Sequence, residues 1–239
     1  MTLVAQSAAR LHVSDAPIPA FPPPVRLWSR VRGTDGGRLC GDVIVAEPLP
    51  GGRLALVVGD VLGHGWSHAA PAAFIAERVV SMLALGCSPG LALLAADDAF
   101  RAVADACSFA AIFVADVDPR CGVVRYSSAG HDAAIVLGAE GAVRGLEANG
   151  PLLGVVEDPQ FGEGQFTIEA GLRLVVVTDG VVESRPPGTV DFFGTERVLR
   201  SASWALCCGA DPAAALIEDV VRHAGGVPSD DAAALVAAW

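Results

Sequence analysis

Strand-like runs in this chain arrive two at a time. "DVIVAE" and "RLALVVGD" flank "PLPGG", "AAIFVADV" and "GVVRYSS" flank "DPRC", and "AAIVLG" and "AVRGLE" flank "AEG". Loops this short, carrying Gly, Pro and Asp, join antiparallel neighbours, whereas a parallel pair needs a crossover of a dozen residues or more. "GQFTIEA" and "LRLVVVTD" read as a further pair turning at Gly171, and "DAAALVAAW" as a last strand. Two groups of helical periodicity interrupt the hairpins. The first runs through "AAFIAERVVSMLAL", with Ile75, Val79, Met82 and Leu83 on one face, and "SPGLALLAADDAFRAVADA", with Ser88 as N-cap and Pro89 at the first helical position. The second is "GTERVLRSASWALC" and "DPAAALIEDVVRHAGG". Hairpins broken by helix pairs predict an α+β fold with antiparallel sheets, not a βαβ array.

With 239 residues, 52% of them hydrophobic, the chain can bury the core of one domain. Residues 1–24 end in "SDAPIPAFPPP", which reads as an N-terminal extension or linker; residues 25–239 read as one domain. No apolar run reaches the ~20 residues that span a bilayer, and no export signal is visible, so a cytoplasmic protein without membrane contact is expected. The formal charge is −11, from 16 basic and 27 acidic residues, and every basic residue is Arg. The absence of Lys excludes a Walker lysine and a Schiff base. The acidic balance argues against a nucleic-acid partner. Six cysteines form no C-x-x-C pair, which disfavours zinc and suits reduced thiols.

Acids at strand ends carry the functional signal. Asp60 closes the apolar run "LALVVGD" and precedes Gly63, His64 and Gly65; Asp179 closes "LRLVVVTD". Asp42 opens a strand after Gly41, and Asp230 stands where a loop enters the last one. Singly, each is an ordinary turn residue or cap, as Asp116 and Asp118 in "ADVDPRCG" are expected to be. Carboxylates converging to ~4 Å, however, repel by about 1 kcal/mol per pair in water and ~4 near a protein surface, so a fold that gathers them needs a cation. Oxygen donors without Cys or His favour Mg²⁺ or Mn²⁺, and two such ions suit phosphoester hydrolysis.

The ordered set "CGDVIV", "LALVVGDVLGHG", "YSSAGHDAAIVL", "LLGVV", "LVVVTDGVVES", "FFG" and "SDDAAALV" resembles the PPM-type, protein phosphatase 2C-like serine/threonine phosphatases, and most closely the bacterial SpoIIE-like subfamily. The resemblance implies a four-layer α-β-β-α sandwich with a dinuclear Mn²⁺ or Mg²⁺ site at one end. It implies that Asp60 bridges both metals, that Asp42 and the carbonyl of Val61 hold one, and that Asp179 and Asp230 hold the other. Asp231 is expected to face away, since strand side chains alternate. His64 would orient a water or protonate the leaving oxygen, or simply hydrogen-bond its turn. His131 is expected to make a structural hydrogen bond. Arg32 and Arg38, near Asp42 in sequence, are candidates to hold phosphate, against a plainer reading as solvated loop residues. By the same resemblance the substrate is a phosphorylated protein, an anti-sigma-factor antagonist in a partner-switching pathway.

Some positions depart from that pattern. Cys40 stands for a usual Gly, Val43 and Ile44 for two aromatics, Val45 for an acid, Leu172 for an Asp, and Ala233 for a Thr or Ser. No predicted ligand is lost. A rival reading, a weakly active or inactive phosphatase-fold binding module, rests on these departures.

Overall fold

The computed structural model describes residues 25–34, 36–37, 40–62, 68–102 and 108–239. The extension over 1–24 lies outside the described residues, as do Arg38 and His64. In chain order come β1 (Arg26–Arg32), β2 (Asp42–Leu49), β3 (Arg53–Val61), α1 (Ala69–Ala84) and α2 (Pro89–Arg101). They are followed by β4 (Ala110–Asp118), β5 (Val123–Ala129), β6 (Ala134–Leu137), β7 (Val143–Leu146), β8 (Gly164–Thr167) and β9 (Arg173–Val177). The one-turn α3 (Asp179–Val182), α4 (Gly194–Cys207), α5 (Pro212–His223) and β10 (Ala232–Ala238) complete the chain.

Two five-stranded antiparallel sheets result, in the orders β1-β10-β9-β6-β7 and β2-β3-β4-β5-β8. Alternation in the strands sends every second side chain inward. Ile44, Val58, Phe113 and Val124 of one sheet thus meet Val136, Leu174, Val176 and Leu235 of the other. The opposite faces take helices: α1 and α2 cover Val57, Ile112 and Val114, while α4 and α5 cover Val175, Val177 and Val236. Helix, sheet, sheet and helix stack as the expected α-β-β-α sandwich.

The β2–β3 hairpin is the most regular part. It turns on Gly51 and Gly52, both with positive φ, and pairs eight residues of each strand from Leu49↔Arg53 to Asp42↔Asp60. Asp211 caps α5 by accepting from the amides of Ala213 and Ala214. At α2, Ser88 holds the N-cap position but makes no side-chain bond; Glu163 accepts the Gly90 amide instead, at 2.9 Å.

Three expectations are corrected. "GQFTIEA" and "LRLVVVTD" do not pair: β8 adds to β5 in one sheet and β9 joins β6 and β10 in the other, so the turn at Gly171 switches sheets. Asp116 is not a turn residue. It sits within β4 with its side chain 1% exposed, and Arg53 reaches it at 2.8 Å while donating to the Leu83 carbonyl at the end of α1. Asp118 does hold a turn, accepting from the amides of Arg120 and Cys121.

His131 supplies the third. Instead of the expected hydrogen bond, its ring lies 4% exposed near Phe113, and neither nitrogen meets a partner in hydrogen-bond geometry. Burial lowers its pKa to about 4, against weaker upward pulls from its own backbone and Asp132. Its carbonyl is the bonded group, accepting from Ser128 Oγ at 2.6 Å.

Removing Arg53 strands a buried carboxylate, so Arg53→Ala is expected to cost about 3–5 kcal/mol in urea unfolding. Arg125, 3.8 Å from Asp116 and 45% exposed, should cost less than about 1 kcal/mol when replaced by Ala. For His131 the neutral form is the folded one. Stability tied to it is present above pH 6.5 and lost as pH falls towards 4, by roughly 3 kcal/mol. His131→Leu should remove that loss; equal acid titrations of wild type and variant would contradict it.

Candidate metal centre

The hairpin register sets Asp42 directly across from Asp60 at the open end of β2 and β3. Cross-strand partners stand ~5 Å apart at Cβ, and like charges there repel. Asp42 is buried and Asp60 half-buried. From the other sheet, β9 ends at Val177 and Thr178 leads into α3, whose first residue is Asp179. The loop entering β10 brings Asp230 and Asp231. Its approach to α3 is close: a Cβ on Gly180 would lie 1.8 Å from the Asp231 carbonyl oxygen, so only glycine fits.

One hydroxyl ties the two sheets together here. Thr178 Oγ1 donates to Asp42 Oδ2 at 2.7 Å and accepts the amide of Ala233 at 2.9 Å. The other oxygen of Asp42, Oδ1, is buried with no hydrogen-bond partner. Asp231 serves the backbone. It is buried, and its two oxygens accept the amides of Thr34 at 2.8 Å and Gly41 at 3.1 Å, fixing the loop before β2. Gly41 in turn accepts the amide of Val61 at 3.3 Å. Asp179 and Asp230 accept the amides of the residues that follow them, Gly180 and Asp231, each at 2.8 Å.

The acids feel one another. Burial, then Asp179 and Asp230, push Asp60 up to about 7, against a hydrogen bond with Asp42 that pulls it down. Burial and then Asp60 hold Asp42 well above the carboxylate range, the Thr178 bond opposing them. Cys40 nearby is raised by burial, Asp42 and Asp231, so it stays a thiol and offers no thiolate ligand.

The structure therefore gathers Asp42, Asp60, Asp179 and Asp230 into one electrostatic group. Among the described residues no three acidic, His or Cys side chains close into a finished ligand sphere. The donor chemistry nevertheless fits a hard divalent cation: oxygens only, one of them buried and unpartnered, with proton affinities raised by burial and then by the neighbouring carboxylates. Val61 ends β3 beside Asp60. Arg32 ends β1 opposite Ala232, two residues from Asp230, with its Nε buried and unpartnered. A groove of ≈ 480 Å³ between α4 and α5, lined by Phe193, Trp204 and Arg200 among others, includes none of these carboxylates. Thr178 and the bracing role of Asp231 went unforeseen; the Thr immediately before Asp179 was the available signal for the first.

The fold recurs in known proteins. Protein IcfG of Synechocystis sp. is 27% identical over 135 residues, which make up 56% of this chain and 21% of that protein. The chain thus spans about a fifth of that curated relative. The RsbU and RsbW domains of Rv1364c from Mycobacterium tuberculosis superpose with a TM-score of 0.73 at 26% identity, over 90% of this chain and 59% of that one. The catalytic domain of the serine/threonine protein phosphatase PstP, solved with two manganese ions, shares the fold with a TM-score of 0.65 at 16% identity, over 90% of this chain and 97% of that one. The sequence profile of stage II sporulation protein E matches residues 50–239. Matched over most of its length, the chain belongs to the stage II sporulation protein E (SpoIIE) family.

Proposed function

We propose that this chain is a divalent-metal-dependent phosphatase that hydrolyses phosphoserine or phosphothreonine on a protein. The observation that carries the reading is the pair of Asp42, buried, and Asp60, half-buried, held opposite each other with raised proton affinity at an end where Asp179 and Asp230 act on them. Asp60 would bridge two Mn²⁺ or Mg²⁺ ions. Asp42 and the Val61 carbonyl would hold one, Asp179 and Asp230 the other. Such a pair supplies an acidified water and charge to neutralise phosphate oxygens.

The chain's own groups do the positioning. Thr178 orients Asp42 through one oxygen and leaves the other open. Asp231 fixes the loop that carries Gly41. Arg32, with an unpartnered buried donor beside the β10 entry, is the phosphate-holding candidate, with Arg38 as its neighbour in sequence. His64, beyond Val61, is assigned to the attacking water or the leaving oxygen. No side-chain nucleophile enters the scheme, so water attacks phosphorus directly. The phosphoprotein would be an anti-sigma-factor antagonist in a partner-switching pathway, a reading in keeping with the likeness to the RsbU and RsbW domains of Rv1364c, and the chain would act in the cytoplasm. Among the described residues no helix is long and apolar enough to cross a membrane.

The second reading, a binding module, is favoured by the open spacing of the acids and by Val45 in place of an acid. Turnover of a phosphopeptide with and without Mn²⁺ separates the two. Metal-dependent turnover that falls by at least about 100-fold in Asp60→Asn and Asp179→Asn proteins is expected of the enzyme. A chain that neither turns over substrate nor changes its melting temperature with Mn²⁺ is the module. The acids also set a pH dependence. Asp60 binds its proton more tightly folded, at about 7, than unfolded, at 3.8, so the metal-free protein should lose stability as pH rises from about 4 to 7. At pH 8, Mn²⁺ should restore that stability, and calorimetry in two buffers at about pH 6.5 should detect released protons.

A further inference from the structure

Asp97 is a carboxylate with no place in the chemistry above, yet it is 0% exposed on α2. Burying a charge this deeply costs several kcal/mol unless its partners compensate. It has two. Oδ2 meets Arg101 Nε one turn along the helix at 2.7 Å, and Oδ1 accepts the amide of Gly154 at 2.6 Å. Arg101 also donates to the Val156 carbonyl, so the pair grips the segment 154–156 at two points.

That segment leads to the candidate metal centre by a short path. Leu153 and Ala110 exchange backbone bonds in both directions, at 2.9 and 3.2 Å. Ala110 is the register partner of Val61, and Ala111 that of Asp60. The amide of Leu62 donates to the Phe109 carbonyl at 2.9 Å. Contact is tight throughout: Gly154 has φ +87°, and a Cβ on it would stand 2.7 Å from the Ser108 carbonyl oxygen. The end of β3 is therefore braced on both flanks by a buried acid. On the β2 side, Asp231 holds Gly41, which accepts from Val61. On the β4 side, Asp97 holds Gly154, and through it Leu153 and Ala110.

The geometry points to Asp97 as a positioning residue for the metal-binding end of β3: it fixes the backbone that aims the Asp60 side chain and the Val61 carbonyl. The inference rests on the proposed role of those two groups. It differs from a plain helix fastening, because the same loop is tied to α2 a second time without that consequence. Glu163 accepts the Gly90 amide at the start of α2, whereas Asp97 and Arg101 lie towards its end.

The test compares wild type with Asp97→Asn and Glu163→Gln on the full chain, well below their melting temperatures. Asp97→Asn keeps the side-chain volume but sets an amide NH₂ or an uncharged oxygen against Arg101. Calorimetric Mn²⁺ titration without substrate is expected to show affinity weakened by about tenfold in Asp97→Asn, as for other residues that orient metal ligands, and unchanged in Glu163→Gln. Turnover at saturating Mn²⁺ should largely recover. Amide exchange on the metal-free proteins should accelerate at Leu153, Gly154, Ala110 and Leu62 in Asp97→Asn, while the middle of β3 stays protected. Wild-type Mn²⁺ affinity in a folded Asp97→Asn protein, with only the melting temperature lowered, overturns the positioning role and leaves the proposed function standing. A wild type that binds no Mn²⁺, or Asp60→Asn binding it as wild type does, overturns both. If Asp97→Asn does not fold, Arg101→Gln keeps the carboxylate and removes its counter-charge; a smaller loss of affinity supports the role and none overturns it.

Discussion

Repulsion between Asp42 and Asp60 is the interaction around which the rest is arranged. Two carboxylates opposite one another in an antiparallel ladder are unfavourable, and a sheet left to itself would slide or splay to separate them. The β2–β3 hairpin prevents this at its far end. The turn at Gly51 and Gly52 pins the register, and the apolar pairs between turn and acids hold it. A slip of one residue would move Ile44 and Val58 off the inter-sheet core, a penalty greater than the repulsion relieved. The strain is thus concentrated at the strand tips, where a cation or a proton can relieve it.

The second sheet meets that tip through small contacts. Gly180 lets the loop before β10 lie against α3, and Thr178 reaches across to Asp42. Two buried acids that are not proposed ligands have backbone work. Asp231 holds Thr34 and Gly41, and Asp97 holds Gly154. A chain with 27 acidic residues uses several of them as internal acceptors for amide groups.

Much of this was legible in the sequence, for identifiable reasons. Short Gly- and Pro-bearing loops revealed the hairpins, and the apolar runs ending in Asp60 and Asp179 revealed where acids would gather. What escaped was set by tertiary context. "RLWSRVR" carries an arginine at nearly every outward position, which masks the strand signature of β1, although Leu27 and Val31 alternate onto the core. The turn at Gly171 looks local but connects strands of different sheets, because the partners of β8 and β9 are chosen by long-range pairing. Asp116 resembled its turn neighbour Asp118, and only the approach of Arg53 from β3 made a buried site for it. His131 followed a hairpin and suggested a polar role; packing against Phe113 decided otherwise.

Thr178 has a wider consequence. Since one proposed ligand pair grows from each sheet, the gap between sheets is also the gap across which any ion must be spanned. That gap is filled by Ile44, Val58, Phe113 and Val176, so the bulk of these apolar side chains sets the bite of the site from below. Ions of different radius tolerate different bites, Mg²⁺ demanding ~2.0–2.1 Å octahedral contacts where larger cations are more permissive. In such an architecture, choice of metal is written partly in hydrocarbon, at positions that never touch it.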